Sequence, residues 1–181
     1  TMDSLPGDWP RFSRKLRAAR GEGGRIDIAA RFESKRNRSF EYVQSPNSGL
    51  IELDEQPPLS HDDEALDIAL TTAALLEAKP VPLLQTMRKT VVDGSNTSGF
   101  QRTTLVSTGG KLQTESGPVG ISVLLLEEDS ARKLDTYQTD TGECVIYNLD
   151  RLGLPLIEIA TDPDVKTPNH AKETSIALGR T

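Results

Sequence analysis

Three acidic residues close an apolar run in Leu124-Leu125-Leu126-Glu127-Glu128-Asp129. Neighbouring carboxylates repel one another unless a cation or solvent relieves them. Side chains of a strand alternate between faces, so Glu127 and Asp129 share one face and Glu128 takes the other. A site built on this run therefore uses Glu127 with Asp129, or Glu128 alone, and the sequence does not choose. A second carboxylate, Glu158, sits inside the apolar run Leu154-Pro155-Leu156-Ile157-Glu158-Ile159-Ala160. Glutamate is seldom buried without a partner. Either these carboxylates run out into water, or Glu158 lines a cavity beside Glu127 or Glu128 and holds Mg²⁺. A hard cation bound by oxygen ligands and few protein carboxylates is the magnesium pattern, and such an ion usually serves substrate phosphates, so ATP is the expected co-substrate.

The segment Arg88-Lys89-Thr90-Val91-Val92-Asp93-Gly94-Ser95-Asn96-Thr97-Ser98-Gly99-Phe100-Gln101-Arg102 joins small hydroxyl residues, two glycines and flanking cations. Such a polar loop offers backbone amides to phosphate or carboxylate groups. The glycine–lysine–hydroxyl order of a Walker A loop is absent. Lys89, Ser95, Asn96, Ser98, Gln101 and Arg102 are its candidate binding residues. Arg151 is a further candidate, meeting either an anionic substrate group or its neighbour Asp150. His61 and His170 belong to no metal-spaced pair and are expected at the surface. Cys144 lies in a strand with nothing to mark it as a low-pKa nucleophile, so packing is its expected role.

The elements that must position these residues follow from periodicity. Trp9, Phe12, Leu16 and Ala19 make one apolar stripe, which predicts a helix over 9–20, stopped by Gly21, Gly23 and Gly24. Alternation predicts strands at 25–33, 40–43 and 50–54. A packing helix is predicted over 62–79, with Ser60 as N-cap, an apolar face that includes Leu70, and Pro80 and Pro82 as its end. Strands are predicted at 100–107, 119–126, 143–149 and 154–161. A last helix follows Thr167-Pro168, an N-cap with proline at the first helical position. Strands in runs with a few helices mean an α+β fold, with a large, mostly antiparallel sheet.

The chain has 181 residues with a formal charge of −6. This length suits one domain and buries roughly 70% of its unfolded surface. One cysteine excludes an internal disulfide and any multi-cysteine zinc site. No apolar run approaches the ~20 residues of a membrane helix. The opening Thr1-Met2-Asp3-Ser4-Leu5-Pro6 shows no leader, so the expected location is cytoplasmic, with neither membrane nor DNA as partner. Residues 1–40 carry a balance of +5 and residues 41–181 a balance of −11. A basic arm beside an acidic body is either a solvated face or a contact surface for a polyanion.

Three blocks in order, MRKTVVDGSNTSGFQRT (87–103), GISVLLLEEDSARK (120–133) and YNLDRLGLPLIEIATDPDVKTP (147–168), resemble the GatB/GatE family of tRNA-dependent amidotransferase subunits. The DGSNTSGFQRT form is similar to the archaeal GatE branch, as are RKLRAARGEGGRIDIAARFE (14–33), DEQPP (54–58) and EALDIAL (64–70). The resemblance covers about residues 11–180. It implies a cradle-shaped domain similar to glutamine synthetase and guanido kinases. It also implies a ligase reaction: ATP phosphorylates the glutamate of misacylated glutamyl-tRNA(Gln), and ammonia from a GatD-type, asparaginase-like partner displaces the phosphate. Glu127 or Glu128, together with Glu158, corresponds to the family's magnesium-binding acidic residues. The family's opening strand carries a Gly-Leu-Glu-x-His-like motif, and its members continue into inserted, helical and tail domains. Residues 1–181 are therefore expected to be a central piece of the catalytic cradle, inactive alone. The competing expectation is a module that only docks tRNA or the partner protein.

Overall fold

The computed structural model describes residues 9–15 and 23–181. Among them the chain forms eight strands and three α-helices: β1 (Arg11–Arg14), α1 (Ile28–Glu33), β2 (Arg38–Val43), α2 (Asp63–Leu75), β3 (Lys79–Thr90), β4 (Phe100–Thr114), β5 (Gly117–Glu128), β6 (Arg132–Thr139), β7 (Gly142–Asn148), β8 (Pro155–Thr161) and α3 (Pro168–Leu178). The α+β expectation holds. The strands divide into two four-stranded sheets, ordered β1-β2-β7-β6 and β3-β4-β5-β8, instead of one large sheet. Two compact units result. The first comprises Thr1–Pro58, Arg88–Gln101 and Glu128–Leu154, and the second Leu59–Met87, Arg102–Glu127 and Pro155–Thr181. No helix among the described residues is long and apolar enough to cross a membrane.

In the first unit β1 pairs antiparallel with β2, β2 parallel with β7, and β6 antiparallel with β7. Its core is aromatic: Phe40, Tyr42 and Tyr147 with Ala131, Val145 and Leu149. Phe12 stacks on Tyr42 at 5.1 Å between ring centres, and Tyr42 on Tyr147 at 6.0 Å. This pairing explains why residues 11–14 are a strand and not the start of the predicted helix: the register Phe12↔Tyr42 sets one ring against the other. The remainder of that predicted helix, 16–20, lies outside the described residues. Residues 28–33, predicted as strand, are helical because the Asp27 side chain accepts the Ala30 N–H at 2.9 Å and caps the turn. Residues 50–54 form turns instead of the predicted strand. Cys144 is buried in β7, as expected of a packing residue.

The second unit packs α2 on its sheet. Asp62, not Ser60, is the N-cap, its carboxylate accepting the Ala65 N–H at 2.9 Å. Asp63 and Glu64 add negative charge at the helix N-terminus, where the dipole favours it. Ala65, Ala69 and Ala73 recur every four residues and are buried; their small side chains let the helix approach Val106, Leu124 and Leu126 closely. The helix ends at Leu75, and Glu77 turns the chain with φ 54°. Pro80 and Pro82 open β3 where the sequence predicted only a helix stop; β3 is an edge strand, where a missing N–H is tolerated. Strands β4 and β5 form a long antiparallel hairpin with a register shift between Leu105 and Ser107. Helix α3 begins as predicted, Thr167 accepting the His170 N–H at 3.1 Å. His170 itself is 6% exposed, a buried residue where a surface one was expected. His61 hydrogen-bonds Thr86 at 3.1 Å and Thr104 at 2.9 Å, which makes it a tie between the α2 entrance and the sheet.

Leu70 is only half-buried and packs at the margin of the core, whereas Leu124 is fully buried. Leu124→Ala is therefore expected to cost about 2–5 kcal/mol, and Leu70→Ala clearly less. Urea denaturation of the two variants checks the ordering.

Candidate functional site

The carboxylates singled out from sequence fall in different places. In the second unit Glu127 is 2% exposed on β5 and stands opposite Thr103 on β4. The Thr103 hydroxyl donates to Glu127 Oε1 at 2.9 Å, which fixes the carboxylate's orientation. Glu158 lies on β8, the strand beside β5. Its neighbours Ile157 and Ile159 pack on the core of the unit, so alternation turns the Glu158 side chain to the other face, where it is exposed. Adjacent strands thus carry two hard-oxygen donors, one oriented and buried, one open to solvent. Such a pair suits magnesium, which takes one or two carboxylates and keeps several waters. Among the described residues no group of three or more His, Cys, Asp or Glu side chains gathers in metal-binding geometry. Arg102 follows from β4, its guanidinium donating to the Leu59 carbonyl.

The remaining candidates lie in the first unit. The loop between β3 and β4 is tied down at many points. Ser95 donates to Asp93 Oδ1 through its N–H at 2.9 Å and its hydroxyl at 2.7 Å. Asn96 is 6% exposed, its Oδ1 accepting from the Ser130 hydroxyl at 3.0 Å. Ser98 donates to the Phe100 carbonyl at 3.0 Å, and Gln101 Nε2 to the Glu128 carbonyl at 2.7 Å. Lys89 is exposed near the end of β3. Arg151 forms a two-pronged ion pair with Asp129, at 2.9 and 2.7 Å, and not with Asp150. Asp150 is held by Arg132 at 2.6 Å.

Two cavities of this unit share Asn96, Thr97 and Ser98 in their walls. One, of about 680 Å³, is also lined by Arg14, Lys15, Phe40, Tyr42 and Gly94. The other, of about 370 Å³, is acidic: Glu52, Asp54, Glu55 and Glu128 face it against one cation, Arg88. Arg88 is stacked over Phe100 at 5.0 Å.

The sequence reading missed the tyrosines behind the loop. Tyr42 donates its hydroxyl to the Gly94 carbonyl at 2.6 Å, and Tyr147 to the Asp93 carbonyl at 2.8 Å. Gly94 has φ 83°, and a Cβ there would collide with the Phe40 ring, so only glycine lets the turn lie on the aromatic core. Nothing local in sequence signals these contacts, since the partners are more than fifty residues apart. The basic arm also changes meaning: Arg11, Arg14, Arg36 and Arg38 are all paired, with Glu41, Asp54, Glu33 and Glu143 among their partners. Those arginines are engaged within the first unit.

With the geometry described, comparison with known proteins decides the family. The GatB/GatE catalytic domain matches residues 29–181. The chain belongs to the GatB/GatE family. It is 48% identical over 178 residues to the E-type component of glutamyl-tRNA(Gln) amidotransferase from Thermoplasma acidophilum, covering 98% of this chain and 29% of that protein. It is 48% identical over 167 residues to the corresponding protein of Methanocaldococcus jannaschii, covering 92% of this chain and 26% of that one. For the corresponding protein of Pyrococcus furiosus the figures are 47% over 169 residues, 93% and 26%. This family member thus spans less than a third of the length of these relatives.

Burial raises the pKa of Tyr147 to about 12, with the nearby Asp93 carboxylate adding to it, and burial raises that of Tyr42 further. Both hydroxyls therefore stay protonated and donating across the physiological range. The folded state holds these protons more tightly than the unfolded chain, in which tyrosine titrates near 10. Their contribution to stability is fully present below pH 10 and is lost as pH rises from 10 toward 12. Tyrosinate absorbance during alkaline titration is expected to lag behind that of free tyrosine until the protein unfolds.

Proposed function

We propose that this chain is part of an archaeal GatE-type protein that converts glutamyl-tRNA(Gln) to glutaminyl-tRNA(Gln). The single observation that carries the reading is similarity over nearly all of this chain, 48% identity over 178 residues, to the E-type component of a glutamyl-tRNA(Gln) amidotransferase. The chemistry requires two steps. A carboxylate is a poor electrophile, because expelling an oxide is unfavourable. Transfer of the γ-phosphoryl group of ATP to the glutamate side chain makes the oxygen a phosphate leaving group and releases ADP. Ammonia then attacks the carbonyl carbon, loses a proton and expels inorganic phosphate, leaving the amide. The ammonia is proposed to come from a GatD-type partner, and the reaction to run in the cytoplasm.

Within the second unit, Glu127 and Glu158 are the residues that would hold Mg²⁺. When bound, that ion would supply neutralisation of the phosphoryl oxygens' negative charge. Thr103 keeps the Glu127 carboxylate aimed by donating to one of its oxygens, the kind of outer contact that orients a metal ligand. Glu128 lines the acidic cavity of the first unit and is proposed as a further binding residue, Glu127 or Glu128 being the proposed metal partner of Glu158. The loop residues Ser95, Asn96 and Ser98, with Lys89, Gln101, Arg102 and Arg151, are proposed to bind substrate or nucleotide. Four arginines of the basic arm, Arg11, Arg14, Arg36 and Arg38, are engaged with carboxylates of the same unit and so lend no support to a role as a docking module alone.

In the full-length protein with its partner, Glu158→Gln is expected to lower ATP-dependent glutaminyl-tRNA formation by about 100-fold or more while leaving folding nearly intact. Undiminished product formation in that variant would remove Glu158 from the magnesium site. The isolated 181-residue chain supplied with ammonium is expected to form no product.

A further inference from the structure

Helix α1 presents its large apolar side chains to solvent. It has six residues, and none of them is buried. Ile28 is 86% exposed and Phe32, one turn further on, 65%. A helix this short does not hold by itself in water, and polar ties fix it instead. Asp27 caps its first turn, and the Ser34 hydroxyl donates to the Arg31 carbonyl at 3.0 Å. Glu33 at its end accepts from Arg36 at 3.0 Å and from Arg38 at 3.4 Å. Residues three and four apart are neighbours on a helix, so Ile28, Arg31 and Phe32 make one contiguous outward patch. The Arg36 guanidinium lies over the Phe32 ring at 5.9 Å. Apolar side chains stabilise a fold through area removed from water, and these two remove little.

The charge around the patch has one sign. Between residues 23 and 38 the acidic residues are Asp27 and Glu33, and both are engaged, the first as cap and the second with Arg36 and Arg38. Arg25, Arg31 and Lys35 are exposed and meet no carboxylate among the described residues. Arg25 and Arg31 line a cavity of about 530 Å³ together with Gly24 and Ile26. These cations of the basic arm are left over by the ion pairs of the unit, and they stand in a chain whose residues 41–181 carry a balance of −11. A basic island of this kind attracts a polyanion. The ring then selects among polyanions. A nucleobase stacks on an aromatic face or a guanidinium plane while neighbouring cations meet its phosphates. An acidic protein segment would satisfy the cations but gives no reason for an arginine-stacked ring among them.

We infer that α1, with Arg25 before it and Lys35 after it, is a contact surface for an unpaired strand of RNA. Phe32 and Arg36 form the platform on which a base stacks, Ile28 is its apolar flank, and Arg25, Arg31 and Lys35 meet the phosphates. The surface shares no residue with the Glu127–Glu158 pair or with the loop between β3 and β4. Its contacts are to features that every nucleotide carries, so it positions the RNA without reading its sequence. The occupant is an unpaired stretch of the tRNA in the proposed reaction, and the inference rests on that reading for the identity of the RNA.

The test uses the full-length protein and an unacylated tRNA(Gln) transcript, read by fluorescence titration at several salt concentrations, with neither ATP nor ammonia present. Phe32→Leu keeps an apolar side chain without a ring face and is expected to weaken binding about fivefold or more, whereas Phe32→Tyr retains the wild-type affinity. The double variant Arg31→Gln, Lys35→Gln is expected to flatten the slope of log K against log salt by about 1.4, at roughly 0.7 per single-strand phosphate contact. All three side chains are exposed, so circular dichroism is expected to show the fold unchanged. Oligouridine is expected to compete with the transcript in the wild type, and polyglutamate not to. Unchanged affinity in Phe32→Leu, or an unchanged slope in the double variant, would overturn the inference even if glutaminyl-tRNA is formed normally. Competition by polyglutamate as strong as by oligouridine would overturn it too, and would assign the surface to an acidic protein. Weakened binding in both variants, with no amide made by the wild type, would instead leave the surface standing and count against the proposed reaction.

Discussion

Two tyrosine hydroxyls anchor a glycine turn to an aromatic core, and the candidate chemistry of the first unit depends on that anchor. Tyr42 and Tyr147 stack at 6.0 Å and present their hydroxyls to consecutive carbonyls, those of Gly94 and Asp93. Each hydrogen bond is worth only about 1 kcal/mol net. Their effect on direction is larger, because a trans peptide cannot rotate its carbonyl inward without turning its N–H outward. Burial keeps both hydroxyls protonated, so the anchor does not respond to pH below about 10. Phe40 completes the arrangement from below by leaving room at residue 94 for glycine alone.

The second unit works by a different constraint. Its alanine-lined helix packs close to the sheet, and the hairpin of β4 and β5 sets Thr103 opposite Glu127. That pairing buries a carboxylate with a hydroxyl donor attached, a condition under which a carboxylate keeps a fixed orientation. Glu158 on the next strand follows from the alternation of an apolar strand around one charged residue. The magnesium reading therefore rests on a fold that places one oriented and one solvent-facing carboxylate on neighbouring strands.

Much of this was legible in the sequence, and the misses have physical causes. Helices α2 and α3 and strands β4, β5, β7 and β8 showed clear periods, and the Thr167 cap of α3 and the buried Ala69 and Ala73 of α2 follow the predicted pattern. Strand β1 was misread because four residues with one helical stripe can equally pair edge-on, and Phe12 gains more by stacking on Tyr42. Helix α1 was misread because Ile26, Ile28 and Ala30 alternate, whereas the Asp27 cap decides the conformation. Strand β3 hid behind Pro80 and Pro82, which an edge strand tolerates, and β6 behind a polar, half-exposed sequence. Among candidate site residues, the carboxylates and the DGSNTS loop were visible by type. The tyrosine anchors were not, since hydroxyl partners more than fifty residues away leave no local pattern. The charge split was visible, but its meaning was not: the arginines at 11, 14, 36 and 38 pair with carboxylates of their own unit.

The central claim is that a protein containing this chain activates the glutamate carboxylate as an acyl phosphate before amidation. The most direct measurement follows oxygen. Glutamyl-tRNA(Gln) labelled with ¹⁸O in the side-chain carboxylate is converted by the full-length protein with ATP and an ammonia source, and the inorganic phosphate is analysed by mass. The account predicts one labelled oxygen in each phosphate released per amide formed. Amide formation with unlabelled phosphate would contradict it.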